Sequence, residues 1–200
     1  GNRVMGKLIF KGVARKVSSL AAFKKKSFQL AGKKLAKEKN NLLNDFDRHP
    51  VTLELKSGPS ASNISHSLPG GYGNLFSFIG FSQGEDPTDI VRGHLEKIRI
   101  QGRGKKGYSK DKVFYSFQVK YPALEELKNV TKMPWEAGLS WLARIEKGIS
   151  GFGYYMNTAW SPGRSGEGVQ VDNKIRTGGY SPVSYYSGII NRFRKRIQKK

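Results

Sequence analysis

Few residues in this chain have the type and spacing to carry chemistry. Gly102-Arg103-Gly104-Lys105-Lys106-Gly107 matches the bare GxGxxG pattern. A dinucleotide fingerprint, however, needs a strand before it and a helix after it, so that phosphate meets a helix N-terminus. Here Val113, Tyr115, Phe117, Val119 and Tyr121 alternate in what reads as a following strand. The glycine-rich run is therefore expected to be a basic hairpin tip, either reaching a phosphate backbone or simply solvated. His49, His66 and His94 are scattered, with no pair at ligand spacing, so no metal is expected. Glu125 and Glu126 are adjacent and point apart on a helix, which spoils them as an acid/base pair. A nucleophile elbow, a P-loop and an acidic metal cluster are all missing from the sequence. No catalytic residue and no cofactor is expected, and an enzyme would have to assemble its site from scattered positions.

Charge is the loudest signal. The chain has 36 Lys and Arg against 15 Asp and Glu, a net charge of +21. Residues 1–43 hold 12 against 1 (+11), residues 44–100 hold 5 against 7 (−2), and residues 101–200 hold 19 against 7 (+12). The excess belongs to flanking elements, and it calls for a polyanion: nucleic acid, an acidic membrane surface or an acidic protein. Candidate contacts are Lys24, Lys25, Lys26, Lys33 and Lys34, then Arg103, Lys105 and Lys106, then Arg194 and Arg196 near the C-terminus. There is no cysteine, which excludes disulfides and thiolate metal sites. No stretch approaches the roughly 18 consecutive apolar residues of a membrane span. The chain reads as soluble and intracellular, without a membrane partner.

The elements that must position these residues follow from periodicity. Residues 11–48 read as one long basic helix, with Val13, Val17, Leu20, Phe28, Ala31, Leu35, Leu42 and Phe46 on one stripe. Unbroken, it would span roughly 57 Å at about 1.5 Å per residue. It would serve as a packing helix with a solvated face or as a helix laid along an anionic surface. Pro50 stops it, and Val51, Leu53 and Leu55 alternate as in a strand. Gly70, Gly71 and Gly73 then lead into Leu75, Phe76, Phe78, Ile79 and Phe81, which read as a strand apolar on both faces. Such a strand is either wrapped by the domain or set against another subunit. Asp86-Pro87-Thr88-Asp89 starts a helix with Ile90, Val91, Leu95 and Ile98 as its buried side.

Residues 98–121 form a hairpin in this reading, with a charged tip at 102–112. The sequence VFYSFQVKY superficially suggests an aromatic platform for RNA, but its alternation puts Tyr115, Phe117 and Tyr121 on the face of Val113 and Val119, as in a core. Residues 123–129 and 135–147 read as helices, the second ending at Gly148, 152–158 as a strand, and 161–179 as a flexible glycine-rich arm. A helix from Ser181 carries Val183, Tyr186, Ile190, Phe193 and Ile197 at spacings of 3, 4, 3 and 4. The expected fold is a single α+β domain over residues 1–200: a small antiparallel sheet, a long N-terminal helix and a packed C-terminal helix.

The phrases HPVTLELKSG, GGYGNLFSFIGF, DPTDIVRGHLEK, GISGFGYY and YSPVSYYSGIINRF, in this order over most of residues 10–197, resemble the tail-completion and tail-terminator proteins of the tailed-bacteriophage head–tail junction. Pro182, Tyr185, Tyr186 and Phe193 fit a terminal segment common in that group, whereas residues 102–112, 123–147 and the high basicity depart from it. The resemblance implies a homo-oligomeric ring around the DNA channel of a virion, assembled in the host cytoplasm. Its partners would be other copies of itself, neighbouring neck, portal or tail-tube proteins, and double-stranded DNA contacted without regard to sequence. In that setting Leu75, Phe76, Phe78, Ile79 and Phe81 are expected at a subunit interface. The alternative that charge alone suggests is a cellular RNA- or DNA-binding protein such as a ribonucleoprotein component.

Overall fold

The structure is a computed structural model that describes residues 5–12, 21–68, 73–109, 112–134, 138–147 and 183–199. It is α+β. The elements are β1 Met5–Gly12, α1 Ala21–Asp47, α2 Pro50–Lys56, α3 Leu75–Ile79, α4 Thr88–Glu96, β2 Arg99–Ser109, β3 Lys112–Lys120, α5 Leu124–Lys128, α6 Trp141–Lys147 and α7 Tyr186–Gln198. The strands make one antiparallel sheet in the order β1-β3-β2. Where one domain was expected, the chain divides into two compact units, each assembled from separate segments. The first comprises Gly1–Asn44, His94–Ala123 and Ile190–Lys200; the second comprises Asp45–Gly93 and Leu124–Ile189.

In the first unit the expected helix over 11–48 is corrected at its start. Lys11 lies in β1, which pairs with β3 along its whole length, from Met5 opposite Lys120 to Gly12 opposite Val113. The run Leu8-Ile9-Phe10 suits that strand, and it finds its partner more than a hundred residues away. The helix itself has 27 residues, about 40 Å. Ser27, Ala31, Leu35 and Leu42 are its buried stripe in this unit. Its first half is held to β3 by aromatic contacts, Phe23 on Tyr115 and Phe28 edge-on to Phe117, both at 5.8 Å between centroids. α7 buries Ile190, Phe193 and Ile197 at the spacing read from the sequence, and Phe193 meets Tyr121 edge-on at 6.3 Å. Arg196 pairs with Glu38 at 3.1 Å, and Lys34 Nζ donates to the Lys199 carbonyl at the end of α7.

In the second unit two segments expected to be strands are helices. Pro50 does hold His49 extended, but it then opens α2: His49 is the N-cap and its Nδ1 accepts from Val51 N at 3.3 Å. The buried residues are Val51, Thr52, Glu54 and Leu55, a helical stripe that leaves Leu53 exposed. Segment 75–79 is likewise a helix, because Asn74 caps its start by accepting from Ser77 N at 2.9 Å and Gly80 ends it at φ 89°. Phe81 folds back on Phe76 and meets Trp141 edge-on at 6.1 Å. α4 begins as expected, with Asp86 Oδ1 accepting from Thr88 N and Oγ1, and it buries Val91 and Leu95, but Ile90 is exposed. Within the expected helix over 135–147, α6 starts only at Trp141, capped by Ser140, whose Oγ accepts from Ala143 N at 3.1 Å. The expected strand over 152–158, the arm over 161–179 and the Gly148 cap lie outside the described residues.

Two buried polar groups organise this unit. Glu54, fully buried, accepts from Leu75 N at 2.6 Å through Oε1 and from Ser65 N at 2.9 Å through Oε2, so one carboxyl group ties Ser65 and the start of α3 to α2. The Tyr185 hydroxyl lies 2.6 Å from Thr52 Oγ1, its ring stacks on Phe46, and burial pushes the phenol far above its ordinary range. Glu54→Ala leaves the buried Leu75 N–H and the half-buried Ser65 N–H without their acceptor and is expected to cost about 2–4 kcal/mol, the buried group contributing most at about 1–3. Glu54→Gln, which keeps one acceptor, should lose clearly less; denaturant midpoints check both. A phenol held protonated by the fold stabilises it below the unfolded pKa of about 10, and that contribution is lost as pH rises above it. Thermal melts between about pH 9 and 11 should therefore fall more steeply for the wild type than for Tyr185→Phe.

Candidate polyanion-binding face

The described residues of the first unit hold 21 Lys and Arg against two Asp and Glu (+19), and those of the second hold seven against nine (−2). All ten cationic positions singled out in the sequence fall in the first unit. They do not share one environment. Lys24, Lys25, Lys26 and Lys33 are exposed along α1. Lys34 is engaged at the C-terminus of α7, as Lys39 is at that of α4, where Nζ donates to the Glu96 carbonyl at 3.0 Å. A cation at a helix C-terminus is favoured by the dipole, so these two act within the fold. Arg196 is taken by Glu38. Arg194 is half-buried beside Tyr121, and its guanidinium offsets part of the upward push that burial gives that phenol.

The glycine-rich run is not a hairpin tip. It lies inside β2, which continues to Ser109, and a bulge between Gln101 and Lys105 shifts the register. Gly102 and Gly104 sit at φ 75° and 77°, as the bulge requires. Gly104 also lies against the buried ring of Phe117, where an added Cβ would fall 2.6 Å from a ring carbon. Gly107 receives the ring of Phe114 in the same way, at 2.4 Å. The pattern therefore has a packing role, and it sets Lys105 and Lys106 exposed on the strand, with Lys106 Nζ 5.3 Å from the centre of the Tyr108 ring.

β3 separates two faces. Tyr115, Phe117 and Val119 are buried, as the alternation foretold. On the other face Phe114, Ser116 and Gln118 are half-buried and Lys120 is exposed. Across from them β2 places Gly107, Lys105, Gln101 and Arg99, all but Gly107 exposed. Arg99 and Lys120 were missed in the sequence because only the register sets them opposite each other. Over β2 and β3 this face is thus polar and basic around the ring of Phe114, unlike the Tyr115 face considered for RNA.

The residues expected at a subunit interface are placed differently. Leu75, Phe76 and Ile79 are fully buried and Phe81 nearly so, with Phe78 half-buried. Their apolar surface is already covered by the chain itself, which corrects the expectation that they face a neighbour. Among the described residues no group of three or more His, Asp or Glu could hold a metal ion, and no helix is long and apolar enough to cross a membrane. No known protein family, curated protein or solved structure matches the chain.

The three glycines give a graded test of the packing. Gly104→Ala combines a positive φ with a clash against a locked ring and should cost about 2–4 kcal/mol. Gly107→Ala displaces only the outer edge of Phe114 and should cost about 1 kcal/mol. Gly32→Ala, in α1 with open space around the added carbon, should gain about 0.5–1 kcal/mol. Melting temperatures in that order support the packing described.

Proposed function

We propose that this chain is a non-catalytic structural protein of a tailed-phage virion, a ring subunit at the head–tail junction whose first unit lies against DNA or an acidic neighbouring ring. The observation that carries the reading is the partition of charge, +19 over the described residues of one unit and −2 over those of the other. A protein that only needed solubility would spread its lysines; this one collects them where a polyanion can neutralise them. The likeness of its sequence phrases to tail-completion and tail-terminator proteins supplies the setting. Contacts with other copies would fall to the second unit, where Leu53, Ile64 and Ile90 are exposed. No membrane takes part in this reading, and the site is the virion.

A second reading, a cellular DNA- or RNA-binding protein, is favoured by the basic sheet face around Phe114. Binding of random duplex DNA and of structured RNA across a salt series separates the two. With four or five exposed lysines on phosphate, log affinity should fall with log salt at a slope of about −4, equally for both nucleic acids, and binding should be weak at physiological salt. Replacing Lys24, Lys25, Lys26 and Lys33 by Gln should reduce that slope by about 2–4. Tight binding at physiological salt with a preference for one RNA or DNA form would sink the neck reading and favour the cellular one. Sedimentation of a discrete closed oligomer would support the ring.

A further inference from the structure

The three strands of the sheet contain eight Lys and Arg and no Asp or Glu. The two faces of β2 and β3 have different surroundings. One, with Tyr115 and Phe117, is covered by Phe23 and Phe28 of α1. The other bears Arg99, Gln101 and Lys105 of β2 and Lys120 of β3, all exposed, with Ser116 and Gln118 half-buried beside them. Arg99 is the direct register partner of Lys120. Like charges set opposite each other on two strands destabilise a sheet, and none of the strands supplies an acidic residue to relieve them. Packing does not call for cations at two exposed positions, so the pair points to an anion from outside. α1 carries a separate cationic surface. Ser27, Ala31 and Leu35 form its buried stripe, and Lys26 and Lys33, two turns apart, are exposed on the side away from it. A helix with its side chains is about 10–12 Å across. The outer side of α1 and the open side of the sheet are thus the two outer surfaces of one helix-on-sheet layer, facing opposite ways.

We propose that the open face of the sheet is a contact surface for duplex DNA, back to back with the α1 surface, so that one chain holds two duplex segments. Its spacing suits a duplex. Lys120 and Ser116, the partner of Lys105, are four residues apart on β3, about 14 Å at about 3.4 Å per residue. The major groove is about 12 Å wide. The Arg99–Lys120 pair and Lys105 can therefore take phosphates on either side of one groove, with the amides of Gln101 and Gln118 between them as further donors. A phosphate beside Arg99 and Lys120 neutralises two cations that otherwise repel each other. A duplex seated there cannot reach Lys26 or Lys33, because the sheet and α1 lie between. The site rests on the reading that the first unit meets nucleic acid, and it gives that unit a second surface for it.

The test titrates the full chain with a short random DNA duplex at low salt, with thermal melts of each variant. The wild type should take up two duplexes per chain. Replacing Arg99, Lys105 and Lys120 together by Gln should lower this to one, and the site that remains should keep its affinity within about twofold. Replacing Lys24, Lys25, Lys26 and Lys33 by Gln should likewise leave one, and both sets together none. Lys120→Gln alone separates binding from structure: without DNA it should melt at or above the wild type, because the opposed charge is gone, yet weaken uptake at the sheet about two- to fivefold. Wild-type protein that takes up one duplex, or a threefold sheet variant that still takes up two, overturns the second surface but leaves the DNA reading standing. Lys120→Gln that melts lower with uptake unchanged overturns the role of the cation pair. Wild-type protein that fails to bind at low salt overturns the DNA reading itself. Two further results overturn the duplex assignment: polyglutamate of equal charge displacing the duplex from the sheet as well as DNA does, and a single strand displacing it at lower concentration.

Discussion

Mutual repulsion among the cations of the first unit is the constraint that its structure has to meet. At about 10 Å in water, each pair of like charges costs about 0.4 kcal/mol before screening, and salt at physiological strength cuts this off beyond about 8 Å. The cost is bearable pair by pair and considerable over the 21 cations of its described residues, with two acidic residues among them. The unit meets it by using some cations inside the fold. Lys34 and Lys39 sit on helix C-termini and Arg196 on Glu38, where their charge is favourable. Aromatic contacts of Phe23, Phe28 and Phe193 with β3 and Tyr121 hold the helices without any electrostatic help. Cations left on the surface, among them Lys24 to Lys26, Lys33, Arg99, Lys105, Lys106 and Lys120, are those whose repulsion an external polyanion would relieve. Binding would then also stabilise, because a ligand that prefers the folded state shifts the folding equilibrium towards it.

The second unit solves a different problem with a different device. Hydrogen bonds to buried side chains tie its short segments together. Glu54 on α2 accepts from Ser65 N and Leu75 N, and Asn74 adds Nδ2 bonds to the Pro59 and Ala61 carbonyls at 2.6 and 3.0 Å. The start of α3 is thereby tied to α2, while the rings of Phe76, Phe81 and Trp141 pack in series.

What was legible in the sequence depended on length and on caps. The buried face of β3 and the stripe of the C-terminal helix were read correctly because each repeats its period over nine or more residues, though that helix starts at Tyr186 and not at Ser181; the hairpin was found, but β2 runs through its expected tip to Ser109. Segments 51–56 and 75–81 were misread because six or seven residues cannot separate period two from a buried helix. In each, the deciding signal was the flanking residue, His49-Pro50 in one and Asn74 with Gly80 in the other. A strand with Val51, Leu53 and Leu55 on one face would turn Thr52 and Glu54 outward, as is usual for polar residues, but here they are buried against partners elsewhere in the chain, Tyr185 for Thr52, Ser65 and Leu75 for Glu54. β1 was not read, and its last two residues, Lys11 and Gly12, were taken into the helix, for the same reason: its partner is non-local, and nothing within Met5–Gly12 names it.

The GxGxxG run shows how a motif of function and a motif of packing coincide. Glycine is needed at 104 because Phe117 must fill the core beneath a bulge, and at 107 because Phe114 must lie across the strand. The lysines between them were free to vary as far as that packing is concerned, since Lys105 and Lys106 are exposed and touch neither ring pocket. The glycines thus belong to the fold, whereas Lys105 lies on the face of Ser116 and Lys106, opposite Tyr115, on the other side of the strand. The bulge links packing to charge, because it sets the register in which Lys105 joins Arg99 and Lys120 on one face of the sheet. A basic surface built on a sheet rather than on a loop holds its charges at fixed spacing, as repeated contact with a regular polyanion such as a DNA backbone requires.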